Sequence, residues 1–390
     1  MFEIIDKEPG GTVIKVIGVG GAGGNAVEHM IREGVQGVEF ICCNTDSQAL
    51  NLSTADVKLQ LGPGQGAGGK PEKARDLAHQ EREQIAEALE GAHMVFIIAG
   101  MGGGTGTGAA PVVAEVAREK DILTVAVVTK PFEFEGKRMR LAEEGLAELQ
   151  QYVDALIIIL NERLMEVLGD DISMQEAFRA ADNVLRNAVG GIAEIINVPG
   201  LVNVDFEDVR TVMGEMGKAM MGSATATGVD RARLAAEAAV ASPLLEGIEL
   251  SGARGVLVNI TASRELGMRE VKDVMSTIKA YTHDEATVIF GTVFDDGMED
   301  QLRVTVVATG LGGKIAAKPK LERVEGYGLR TGTDDRIYGE PVAAQTGYDS
   351  GVALPDVFSS SRTRNAAVKA MVDSGMDRYD IPAFLIKQAD

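Results

Sequence analysis

The sequence predicts an α/β protein: a doubly wound parallel sheet, then a long helix, then a smaller α+β module. Three observations carry this. From Thr12 to Asn161 short apolar runs alternate with helical patterns, as in successive βαβ units. Glycine-rich turns follow several of the apolar runs, at the strand carboxyl ends where ligands of open α/β sheets gather. An unbroken helical pattern from Ser173 to Ile196 then separates this half from a second set of strands.

Thr12 to Val19 runs apolar into Gly18-Val19-Gly20-Gly21-Ala22-Gly23-Gly24-Asn25, and a helical pattern (Ala26, Val27, Met30, Ile31) stops at Gly34. Gly18, Gly20 and Gly23 match the GxGxxG fingerprint, which alone fits a dinucleotide site equally well. The next strand, Val38 to Cys43, ends in Asn44-Thr45-Asp46. Asp46 either reads a ribose hydroxyl or caps the following turn. Val57 to Leu61 reads as a further strand. Gly64 to Lys70 then spells GxxxxGK, but a P-loop needs Ser or Thr next, and Pro71 stands there without an amide donor. Pro71 to Leu89 reads as one helix with proline in its first turn, and the glycine loop before it as a segment flanking the nucleotide.

Met94 to Ala99 feeds the most informative stretch, Gly100-Met-Gly-Gly-Gly-Thr-Gly-Thr-Gly108, with Ala109 to Lys120 helical behind it. Six glycines beside two hydroxyl side chains present little except backbone, and a tight turn needs only two. A strand leading through free amides into a helix N-terminus is a phosphate cradle. Ile122 to Thr129 is a buried strand ending in Lys130-Pro131-Phe132. Glu135-Gly136-Lys137-Arg138 opens an amphipathic helix to about Gln151, and Leu156 to Leu160 gives a strand ending at Asn161.

The long helix carries Phe178, Ala181, Val184, Leu185, Ala188, Val189, Ile192, Ile195 and Ile196 at three- and four-residue spacing, behind a Ser173/Glu176 capping box. Pro199 and Gly200 end it. The loop to Asp208 packs Asp205, Glu207 and Asp208 into four residues, which by itself reads as solvated surface. From Val209 the pattern gives helices (Arg231 to Ala241, Met268 to Tyr281) and strands (Gly255 to Ile260, Ala286 to Val293, Gln301 to Ala308), the last two joined by a hairpin-like turn. Periodicity stops near Gly312. Residues 313–376 have the composition of a disordered linker, and apolar anchors return in Tyr379-Asp380-Ile381-Pro382-Ala383-Phe384-Leu385, a docking peptide within 377–390. The organisation expected is therefore 1–172, a central helix and acidic loop over 173–208, a second domain over 209–312, then linker and peptide.

At 390 residues and 45% hydrophobic the chain can bury sizeable cores. A formal charge of -20 argues against nucleic acid or anionic membrane as a partner of the bulk surface. No apolar run approaches the roughly 18 residues of a membrane span, and the expected compartment is the cytosol. Cys42 and Cys43, adjacent in an apolar segment, read as buried reduced thiols.

Gly102 to Gly108, the Asn203 to Asp208 loop and the terminal peptide together resemble the tubulin-like GTPases, in particular their bacterial cell-division branch. The likeness runs from the first strand to Ala308 and resumes at Asp380 to Leu385. It implies a tubulin-like GTPase domain binding GTP/GDP with Mg2+. Gly20, Gly21, Gly24 and Asn25, in one turn with Ala22 and Gly23, would hold the diphosphate, and Gly102, Gly103, Gly104, Thr105, Gly106 and Thr107 the rest of the phosphate chain. Asn44 and Asp46 would lie near ribose and terminal phosphate, Glu135 and Arg138 would contact sugar and phosphate, Asn161 and Asp182 guanine, and Phe178 would stack on the base. Asp205 and Asp208, with Asn203, would serve the neighbouring subunit of a head-to-tail homopolymer by polarising its attacking water. The resemblance further implies a filament at the midcell division site, with membrane-tethering and regulatory division proteins docking on Asp380 to Leu385. No protein metal ligand is assigned. Four positions depart from the pattern. The Glu135 segment is one residue short, so Arg138 and Arg140 compete for one role; Ala22 replaces a glycine, Lys70 an asparagine, and Ile386 a basic residue. Rival readings are an NAD-dependent oxidoreductase on the Gly18 to Gly23 fingerprint, which leaves the second cradle without a use, and a GTP-binding filament without turnover, which leaves Asp205 and Asp208 without one.

Overall fold

The computed structural model describes residues 11–168, 173–198, 202, 204–215, 217–242, 252–283 and 285–311; the expected linker and docking peptide, and Asn203, lie outside them. The first half alternates as expected: β1 (Ile14–Val19), α1 (Gly20–Arg32), β2 (Glu39–Asn44), α2 (Ser47–Asn51), β3 (Val57–Gln60), α3 (Pro71–Gln80), α4 (Arg82–Ala88), β4 (Met94–Gly100), α5 (Thr105–Glu119), β5 (Leu123–Lys130), α6 (Lys137–Leu149), β6 (Ala155–Leu160) and α7 (Asn161–Leu168). Then follow α8 (Met174–Asn197), α9 (Phe206–Met213), β7 (Gly217–Thr227), α10 (Arg231–Val240), β8 (Gly255–Ala262), α11 (Met268–Lys279), β9 (Thr287–Phe294) and β10 (Gln301–Leu311).

All ten strands form one sheet in the order β3-β2-β1-β4-β5-β6-β7-β10-β8-β9. The first six are parallel throughout. Helices cover both faces of this half, because strands buried on both sides bear apolar residues at successive positions. Ala26, Val27 and Met30 of α1 and Leu185, Ala188 and Ile192 of α8 fill one side. Ile85 of α4, with Ala110, Val113 and Ala117 of α5, fills the other. Cys42 and Cys43 sit inside β2, one on each face; burial raises both thiol pKa values, that of Cys43 to about 12. The halves of the sheet meet where Ala155, Leu156 and Ile157 pair with Gly217, Lys218 and Ala219.

The second half departs from the expected hairpin. β9 and β10 are not neighbours: β10 runs antiparallel to both β7 and β8, while β9 pairs parallel with β8 at the sheet edge. Burial gives the reason. From Val304 to Leu311 every residue of β10 is buried, so the strand needs partners on both sides, whereas β9 is only half-buried over its first residues. The partner of β10 on its other side, β7 (GKAMMGSATAT), has too little apolar alternation to be read as a strand. α10 and α11 cover one face of this half through Ala235, Ala239, Val274 and Ile278. α8 lies against the other, where the Asn259 side chain donates to Gly191 O at 3.0 Å.

Two helices differ from expectation. The pattern from Pro71 to Leu89 is interrupted at Glu81, whose φ of -98° and ψ of 19° leave the helical region. The restart lets Arg82 pair with Glu115 and Glu119 of α5 while Ile85 and Leu89 stay in the core. The helix expected from Glu135 begins instead at Lys137, after a 3-10 turn over Glu133–Glu135 and Gly136 at φ 41°. Glu135 is thereby released to accept from Phe132 N and to pair with Arg138. The Ser173/Glu176 capping box is formed as read.

Candidate active site

β1 and β4 are parallel neighbours in register, with Val19 opposite Ala99. Their carboxyl ends therefore release two glycine turns side by side, one into α1 and the other into α5. Neither helix has a side-chain cap on its N-terminal amides. Free amides at two converging helix N-termini form an anion site. The turns touch so closely that only glycine fits. Gly20 has φ 77°, and a Cβ there would lie 2.9 Å from Gly106 N. Gly23 of the fingerprint serves packing instead, since a Cβ would meet Ile98 O at 2.3 Å.

A cleft of about 500 Å3 opens over these turns. Gly21, Ala22 and Asn25 line it on the α1 side and Gly103, Gly104, Thr105 and Gly106 on the α5 side. Glu135, Arg138, Asn161, Phe178 and Asp182 complete the wall, together with Thr129 and Pro131, which were read from the sequence only as the end of a buried strand. A smaller adjoining cavity of about 140 Å3 holds Gly20, Gly24 and Asn44. Arg138 faces the cleft, while Arg140 points to solvent and pairs with Glu144.

At the far end of the cleft Asn161 is only 7% exposed, yet its Oδ1 has no hydrogen-bond partner. In the same lining the Asp182 carboxyl has its pKa raised to about 6 by burial, with His29 and Arg32 of α1 pulling the other way. An unsatisfied amide oxygen and a carboxyl lining one pocket call for a ligand with N–H donors. Phe178, one helical turn before Asp182, is 48% exposed and meets Phe132 edge-on at 6.4 Å, leaving a ring face for a planar ligand.

Several candidate side chains are engaged in bonds that shape the site or cap helices. Thr107 is buried, and its hydroxyl accepts from Gly102 N at 2.8 Å, so it shapes the loop. The Thr105 hydroxyl is bonded to that of Thr45 at 2.7 Å, tying the cradle to the end of β2. Asp46 caps α2 by accepting from Gln48 N at 2.9 Å, the cap of the two readings. Asp205 and Asp208 are exposed at the opposite end of α8, and Asp205 caps α9 by accepting from Asp208 N at 2.8 Å. The Gly62 to Lys70 loop, read from the sequence as flanking the nucleotide, backs directly onto the cradle: a Cβ on Gly104 would lie 2.9 Å from Ala67 Cβ and 3.1 Å from Lys70 N. The only signal for it was the density of glycines.

Comparison with known proteins agrees with this geometry. Residues 13–169 match the family model of the Tubulin/FtsZ family GTPase domain, and residues 217–312 that of the FtsZ family C-terminal domain. The cell division protein FtsZ of Pseudomonas putida is 52% identical over 402 aligned residues, covering all of both chains. That of Coxiella burnetii is 60% identical over 317, covering 80% of this chain and 82% of its own. An empty FtsZ dimer from M. jannaschii superposes with a TM-score of 0.74 at 42% identity, over 77% of this chain and 88% of its own. The GTPγS-bound protofilament of CetZ2 from Haloferax volcanii, 22% identical, shares the fold with a TM-score of 0.64 over 77% and 93%. Among the described residues no helix is long and apolar enough to cross a membrane. The chain belongs to the Tubulin/FtsZ family and is a GTPase of its FtsZ cell-division branch.

Proposed function

We propose that the cleft binds GTP and that the chain hydrolyses it only as part of a head-to-tail homopolymer, a cytoplasmic filament that scaffolds the bacterial division ring at midcell. The observation that carries the nucleotide assignment is that one cleft holds the orphaned Asn161 Oδ1, the Asp182 carboxyl and the turns into two uncapped helix N-termini. Guanine offers a ring N–H and an amino group side by side, which a carboxylate accepts together; adenine offers no such pair. Phe178 stacks on the base, and the turns Gly20 to Asn25 and Gly102 to Thr107 hold the phosphates.

The hydrolytic half of the reading rests on distance. α8 has 24 residues and is therefore roughly 36 Å long, with Asp182 near its start and Asp205 and Asp208 beyond its end. These carboxylates have no reach to their own subunit's phosphates, but a second copy stacked on the cleft would present them to the terminal phosphate. There they orient the attacking water, and phosphoryl transfer asks little more of a protein than positioning and charge. Asp208, whose carboxylate is not spent on a cap, is the stronger candidate for the water, with Asp205 and Asn203 shaping the loop. Mg2+ would neutralise the phosphates. Among the described residues no three His, Cys, Asp or Glu are grouped to cage a metal, so the ion would draw its ligands from phosphate oxygens and water, as Mg2+ commonly does. The segment Asp380 to Leu385 would dock membrane-tethering and regulatory division proteins. Light scattering and phosphate release on the purified chain with GTP, ATP or NAD test the reading: assembly and turnover with GTP alone are expected, and NAD binding without GTP-dependent assembly would sink it.

A further inference from the structure

We propose that His29 is a positioning residue for base recognition: by bonding Asn183 it holds the neighbouring Asp182 carboxylate where guanine is read, without touching the nucleotide itself. The proposal rests on the cleft binding GTP through Asp182. It starts from the course of α1. Ala22 and Asn25, near the start of that helix, line the cleft. His29 and Arg32 follow Asn25 at i+4 and i+7, so one stripe of α1 begins as cleft wall and continues along the same face.

That stripe meets the part of α8 that carries Asp182. His29 Nε2 lies 2.7 Å from Asn183 Oδ1, and because an amide oxygen only accepts, the imidazole donates. Asn183 is the next residue after Asp182, so the bond fixes the helical turn from which the carboxylate projects. Asp182 has use for such a hold. Burial raises its pKa to about 6, against the ionised form that accepts two donors at once, and the groups drawing it back toward that form are His29 and Arg32. A single helix thus serves both ends of the ligand, with free amides at its start for phosphate and His29 further along for the base. The bond is not required to join the two helices. Ala26, Val27 and Met30 of α1 share a buried apolar cluster with Leu185, Ala188 and Ile192 of α8, whereas the His29–Asn183 bond is exposed. A polar contact at such a rim adds little to packing, but it is one residue away from the cleft wall.

The test uses the full chain at concentrations too low for assembly, titrated with GTP, GDP and inosine triphosphate, which keeps the ring N–H of guanine and lacks its amino group. His29→Ala should lose about three- to tenfold in affinity for GTP and GDP alike, since both carry the base, and no more than about twofold for inosine triphosphate, whose single donor tolerates a displaced carboxylate. His29→Gln, whose amide can donate to Asn183 in place of the ring, should restore most of the loss. In an Asp182→Ala background, His29→Ala should cost less than about twofold more. No loss, a loss confined to GTP, a loss shared equally with inosine triphosphate, no restoration by His29→Gln, or the full loss repeated in the Asp182→Ala background would each overturn the proposal. If Asp182→Ala binds GTP as tightly as the unchanged chain, the assignment of the base falls first, and this proposal with it.

Discussion

Asp208→Ala separates binding from turnover more cleanly than any other change. Asp208 is exposed and holds no hydrogen bond through its carboxylate among the described residues; its amide is the group bonded to Asp205. Truncation therefore leaves the α9 cap in place, unlike Asp205→Ala, which would lose a cap of about 1 kcal/mol. From Asp182 in the cleft wall to Asn197 at the end of α8 is about 22 Å of helix, well beyond the Debye length of about 8 Å at physiological salt. Nucleotide affinity of the dilute subunit should be unchanged. Loss of a water-orienting group should lower turnover by about 10² to 10³, and filaments made with GTP should persist. The assay is complementation with Gly104→Val, in which a Cβ would sit 2.9 Å from Ala67 Cβ and 3.1 Å from Lys70 N, closing the cradle while leaving the acidic loop intact. Each variant alone should be nearly inactive, and their mixture should recover phosphate release, because Gly104→Val subunits offer Asp208 to neighbours with an open cradle. Recovery absent despite co-assembly would refute the shared site, as would turnover whose specific rate is independent of protein concentration.

Other expectations follow from particular groups. The Asp182 carboxyl with its pKa near 6 must be ionised to accept both guanine donors. GTP binding should hold steady above pH 6 and weaken by up to about tenfold per unit below it, whereas Asp182→Ala should bind weakly, by about 1.5 to 3 kcal/mol, at every pH; a flat profile in the unchanged protein would remove Asp182 from the base contact. Thr107→Val orphans the buried Gly102 amide and should cost about 1 to 3 kcal/mol of stability together with GTP affinity, read by thermal melting and titration. Removing Asp380 to Asp390 should abolish adaptor capture and leave GTP-dependent light scattering intact; loss of assembly would mean the tail has been misread.

The parallel half of the sheet was legible because its strands are continuous apolar runs punctuated by glycine, and the cradle because six glycines have no cheaper explanation. Base-end residues were less so. Asn161 and Asp182 lie on different elements, and their cooperation is a fact of packing that no spacing encodes; the family resemblance named them, and the orphaned Asn161 oxygen supplies a physical reason. The break at Glu81 escaped notice because one non-helical residue hardly alters the phase of the buried stripe. β7 was missed because small and hydroxyl residues dominate it, such as Ser223 bonded to Thr305 at 2.9 Å, and leave little hydrophobic period. The β9–β10 hairpin was the natural default for strands adjacent in sequence, and only the all-round burial of β10 argues against it.

That placement of β10 has a consequence for how the chain is made. β7 and β8 are not neighbours in the sheet; the strand that joins them within it is synthesised after both. As translation proceeds, β7 can dock on β6 and β9 on β8, but each subassembly keeps an open edge until Gln301 to Leu311 emerges. Open edges of apolar strands recruit other chains, and nascent domains are exposed to that hazard while a long-range partner is awaited. A ribosome stalled before Gln301 thus leaves two unclosed sheet fragments in place of a nearly complete protein, which makes those eleven residues the latest point at which the second half of the molecule can become one body.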